Sequence, residues 1–68
     1  MNTVRKTRLQ RKMTQRDLAG KVGTSQQQIQ RIENGQTPTL ELACRISSAL
    51  KAELTELFPI ETRALNRK

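Results

Sequence analysis

Between Gln26 and Asn34 the chain carries Gln-Gln-Gln-Ile-Gln-Arg-Ile-Glu-Asn, four glutamines within five positions followed by an arginine and an asparagine. Glutamine is a weaker solubiliser than Glu or Lys, but its amide holds a donor and an acceptor side by side. That pair matches N7 and N6 of adenine in a DNA major groove, and an arginine fork matches O6 and N7 of guanine. Competing chemistries have little to work with. Ser47 and Ser48 lack any histidine base, because the chain contains no histidine, and a hydrolase is therefore not expected. Cys44 is the single cysteine, so neither an intrachain disulfide nor a zinc site can be assembled. Cys44 is expected as a small core residue. No metal, no cofactor and no enzymatic activity are expected.

The partner implied by those side chains agrees with the charge. Thirteen Lys and Arg against six Asp and Glu leave a net charge of +7 on 68 residues. Up to Gly35 there are eight bases and two acids; from Gln36 onward there are five bases and four acids. The excess is thus concentrated around the glutamine-rich segment, which points to a polyanion. With Phe58 as the one aromatic residue, stacking on single-stranded bases is disfavoured. Double-stranded DNA is the expected partner. No segment approaches the roughly 20 apolar residues of a membrane span. The basic N-terminal segment also lacks the apolar run of a signal peptide. A lone cysteine suits a reducing compartment, so a cytoplasmic location is expected.

The elements needed to present the glutamines follow from periodicity, which is helical throughout. Helix 1 is expected over about Thr3 to Lys12. Helix 2 opens at Thr14, with Asp17 at its positive end, buries Leu18, Ala19 and Val22, and stops at Gly23. Helix 3 begins after Ser25, with Gln28 as its capping-box partner, and ends at Asn34-Gly35. Ile29 and Ile32 face inward, which turns Gln27, Gln30, Arg31 and Asn34 outward and leaves Gln26 at the rim. Thr39 caps helix 4, whose inward residues are Leu42 (or Leu40), Ala43, Ile46, Ala49 and Leu50. Helix 5 is brief, about Leu54 to Phe58, and Pro59 closes it. Met13 fills a gap between helices 1 and 2. Two helices joined by a turn of about three residues, the second polar outside, form the pattern of a DNA-reading helix-turn-helix.

The residues Thr14-Gln15-Arg16-Asp17-Leu18-Ala19, Val22-Gly23, Ser25-Gln26-Gln27, Ile29 and Ile32-Glu33-Asn34-Gly35 resemble the Cro/C1-type (Xre) helix-turn-helix family of phage and bacterial regulators. The likeness continues through Pro38-Thr39-Leu40-Glu41 and Leu54 to Phe58. It implies an all-α, five-helix, lambda-repressor-like DNA-binding domain over residues 1–58, followed by a short C-terminal tail, 59–68. It also implies a homodimer on a near-palindromic operator, with helix 3 in the major groove. By the same resemblance Gln26, Gln27 and Arg31 fall at base-reading positions. Gln15, Thr24, Ser25, Gln30, Asn34, Gln36, Thr37 and Arg11 fall at positions facing the DNA backbone. Arg8 and Glu33 match a partly buried ion pair tying helix 1 to helix 3. Leu54, Leu57, Phe58 and Ile60 are expected at the dimer interface, because they exceed what so short a helix can hide. The chain departs from the family at Thr7, usually apolar, at Lys51, where a helix-ending Gly is common, and at Glu53, usually a small cap.

Three functions share this fold. A stand-alone repressor or Cro-like regulator is expected first. An antitoxin that binds a toxin protein and represses its own operon is the alternative, and a co-purifying second protein would favour it. A coactivator-type adaptor is the third, and sequence-specific DNA binding by the pure chain alone would count against it.

Overall fold

A computed structural model describes residues 2–59. They form five helices and no strand: α1 Val4–Gln10, α2 Gln15–Val22, α3 Gln26–Glu33, α4 Leu40–Leu50 and α5 Leu54–Leu57. At three of the five starts the N-cap residue's own hydroxyl accepts an otherwise unpaired backbone N–H. Thr14 Oγ1 accepts from Asp17 N at 2.9 Å, while Thr14 N–H donates to Asp17 Oδ2 at 3.0 Å, a complete capping box. Ser25 Oγ accepts from Gln28 N, and Thr39 Oγ1 accepts from Leu42 N. The reciprocal bond expected from the Gln28 side chain is not made, so α3 carries half a capping box.

The turn between α2 and α3 depends on Gly23, whose φ of 76° lies in the left-handed region. From there Gly23 N–H and Thr24 N–H both return to the Ala19 carbonyl, closing α2. Ala19 itself is buried, which keeps the bulk between α2 and α3 small. α1 ends earlier than periodicity suggests. Arg11 is its C-cap, and Lys12 turns the chain with a φ of 59°, unusual for a residue with a Cβ.

The apolar stripes converge on one core. Val4 from α1, Leu18 and Val22 from α2, Ile29 and Ile32 from α3, and Ile46 and Leu50 from α4 are all buried. Each large side chain sealed this way contributes about 1.5 to 3 kcal/mol of transfer free energy. Met13, Leu42 and Ala49 pack on the rim of the core, whereas Leu40 lies outside it, exposed.

Two expectations change here. Cys44 is exposed rather than in the core. On α4 the inward direction is set by Ala43, Ile46 and Leu50, and at about 100° per residue Cys44 falls about 200° from Ile46, on the far side. Leu57 and Phe58, expected to need a second copy to cover them, are fully buried within this chain. They join the common core with α5 packed against α4, and an N-terminal strap ties α5 in place: Thr3 N–H donates to the Leu57 carbonyl at 3.0 Å and Thr3 Oγ1 to the Glu56 carbonyl at 2.9 Å. Leu54 is half-buried against the same core, and Ile60 lies outside the described residues. Finally, α4 ends without glycine. Lys51 adopts the left-handed conformation itself, with a φ of 53°, and Ala52 N–H reaches back to the Ser47 carbonyl.

Candidate nucleic-acid interface

The outward face of α3 is built by what anchors its inner face. Ile29 and Ile32 have no solvent exposure, and they fix the rotation of the helix. Gln26, Gln27, Gln30 and Arg31 are consequently exposed. No partner among the described residues satisfies their side-chain amides or the guanidinium. A short amphipathic helix thus presents a row of unspent, planar hydrogen-bonding groups to solvent.

The second anchor of α3 is electrostatic. Arg8 Nε donates to Glu33 Oε2 at 2.6 Å and Arg8 Nη2 to Glu33 Oε1 at 3.3 Å, a bidentate pair between α1 and the end of α3. The side chains are 8% and 1% accessible. Arg8 Nη1 also donates to the Met13 carbonyl at 2.7 Å, so the guanidinium additionally holds the loop between α1 and α2. Asn2 adds a neutral tie, its Nδ2 donating to the Ile32 carbonyl at 2.8 Å. Removing either member of a pair this deep would strand a charge.

Besides Gln30, exposed on α3, the residues expected to face DNA backbone form three groups, with Arg11 apart. Asn34, Gln36 and Thr37 lie together and exposed in the loop after α3, where Gly35 takes a φ of 114°. Thr24 and Ser25 lie in the turn that opens α3, with the Ser25 hydroxyl engaged as its cap. Gln15, the first residue of α2, donates its Nε2 to Glu33 Oε1 at 3.1 Å, joining the start of α2 to the end of α3.

Arg11 belongs to none of these groups. Its Nε donates to the Leu50 carbonyl at 2.8 Å and its Nη2 to the Lys51 carbonyl at 3.2 Å. A cation at the C-terminus of α4 satisfies carbonyls that have no intrahelical partner. Arg11 thus acts as a cap on the end of α4. A basic residue that sequence reasoning did not single out stands beside the Arg8–Glu33 pair. Arg5, three residues before Arg8 and so on the same face of α1, has its Nε 3.6 Å from Glu33 Oε1 and is 66% exposed.

Electrostatics at the start of α2 depend on Asp17. Its carboxyl is held below the usual carboxylate range, first by the Thr14 N–H it accepts and then by the Thr14 hydroxyl, with Lys21 and Arg16 adding smaller attractions. No group of His, Cys, Asp and Glu suited to a metal ion occurs among the described residues. No helix among them is long and apolar enough to cross a membrane.

A search among curated proteins gave no match for this chain. A helix-turn-helix family model matches residues 4–57, a span that contains all five helices. Its members are DNA-binding transcriptional regulators and are not typically enzymes. The all-helical fold, with its α2–α3 turn through a left-handed glycine, is consistent with that match, and the chain belongs to the Cro/C1-type helix-turn-helix family.

Proposed function

We propose that this chain is a transcriptional repressor that binds a near-palindromic double-stranded DNA operator as a homodimer, with α3 in the major groove. The observation that carries the proposal is the row of exposed, unpartnered side chains on α3 above buried Ile29 and Ile32. Gln26, Gln27 and Arg31 touch base edges, the amides favouring adenine and the guanidinium guanine. Gln15, Thr24, Ser25, Gln30, Asn34, Gln36 and Thr37 hold phosphates on either side and set the register of the helix. Arg11 is left out, because its guanidinium is spent on the carbonyls of α4. The dimer follows from the family resemblance. Leu57 and Phe58 would serve it by holding α5 in place from beneath, not by contact with the mate. Work on DNA would place the protein in the cytoplasm.

Selection of bound sites from random duplexes tests the whole reading. An enriched inverted repeat is expected, with half-site centres about 34 Å apart, one turn of duplex. A selected pool with no enriched motif would overturn it. A single half-site without a repeat would overturn the dimer and leave groove reading intact.

A further inference from the structure

We propose that Arg5 is a phosphate-binding arm of the DNA interface, which leaves the Glu33 carboxylate for a backbone phosphate when duplex DNA arrives. The inference rests on the reading of the chain as a DNA-binding protein and adds a residue to that site. Four side chains meet at the end of α3. Glu33 is buried, and Arg8, itself buried, already cancels its charge through two hydrogen bonds. Gln15 supplies a third donor to Oε1. Arg5 is therefore surplus to the carboxylate: its Nε stands 3.6 Å from Oε1, beyond a hydrogen bond, and its guanidinium has no other partner among the described residues. The cluster as a whole carries one net positive charge, and that charge sits on its one exposed member.

Position and cost both favour exchange. The Arg5 Nε and the Gln15 Nε2 approach the same carboxylate oxygen, so they are no more than about 7 Å apart. A phosphate reached by Gln15 at the start of α2 is then within the swing of a flexible arginine. Arg5 is largely exposed and stands beyond hydrogen-bond distance, so its release costs little, and Arg8 with Gln15 keeps the buried carboxylate satisfied. Arg8 cannot make the same move, since leaving would strand a buried charge. A planar fork also suits a phosphate better than an ammonium does.

The test is a salt series on the selected operator with the full chain, comparing wild type, Arg5→Gln and Arg5→Lys. Each lost phosphate contact lowers the slope of log affinity against log salt by about 0.9, so Arg5→Gln in a dimer should lower it by about 2. The loss should be the same on specific and random duplex, with the selected motif unchanged and the melting temperature within about 2 °C of wild type. Arg5→Lys should restore most of the slope. An unchanged slope with tight wild-type binding overturns this inference alone. A large drop in melting temperature also overturns it, because Arg5 would then be part of the Glu33 anchor. Failure of the wild type to bind any duplex overturns the DNA reading together with this one.

Discussion

Arg31 and Glu33 sit two residues apart on α3 with opposite fates, one exposed and unpartnered, the other with a side chain 1% accessible. Their substitutions should therefore separate readout from stability. Arg31→Ala should leave unfolding unchanged and relax preference at one position of each half-site by about 1 to 3 kcal/mol; site selection at fixed salt checks it. If Gln26→Ala and Gln27→Ala also leave the motif intact, α3 is not the reading element. Glu33→Ala should cost about 3 kcal/mol or more in denaturant unfolding, since it leaves the buried Arg8 unpaired. Single residues were legible in sequence when their role was local. Thr14, Ser25 and Gly23 announce themselves by type and spacing. Arg5, Arg11 and Cys44 do not, because each depends on which neighbour comes within reach in space. Arg11 meets carbonyls 39 and 40 residues away.

At the scale of the elements, α2 and α4 contrast in how they are stopped. α2 uses Gly23, whereas α4 forces Lys51 into the left-handed region. Lys51→Gly should therefore raise stability by about 1 kcal/mol, read as a higher midpoint in urea, and a lower midpoint would show that the lysine is unstrained. The same contrast explains why periodicity rather than residue type located the α4–α5 junction: neither Lys51 nor Glu53 is a residue type that marks a boundary. The start of α2 should respond to acid. Asp17 titrates below the ordinary carboxylate range when folded, so its contribution is complete above the unfolded value and disappears as pH falls through the folded one. The difference in melting temperature between wild type and Asp17→Asn should be largest near neutral pH and narrow below about pH 4. A difference constant down to about pH 2 would mean that the capping box does not depend on the charge.

For the whole molecule, the question is which bases remain for a polyanion. Arg8, Arg11 and Arg45 are occupied, the last bridging Glu41 and the Val22 carbonyl. Lys6, Lys12, Arg16, Lys21, Arg31 and Lys51 are exposed and make no side-chain hydrogen bond or ion pair among the described residues, and all but Lys51 belong to the N-terminal half. A dimer neutralising about 6 to 10 phosphates should lose about 10³ to 10⁵ in affinity between about 50 and 200 mM salt. A filter-binding series that stays flat over that range would exclude duplex DNA as the partner. The charge asymmetry was fully legible in sequence. The fate of the apolar residues of α5 was not, because an excess on a short helix looks the same whether a mate or the chain's own core covers it.

The tie between the two ends of the domain also sets when it can close during synthesis. The strap joins Thr3 to Leu57, residues from opposite ends of the domain. At about 5 to 20 residues per second, Leu57 is added about 3 to 11 s after Thr3. Small helical domains fold in microseconds to milliseconds. Closure on the ribosome is thus limited by elongation, not by the conformational search. Until α5 emerges, α1 waits without the strap that pins it, and Val4, fully buried in the finished protein, is left without its full cover on the nascent chain.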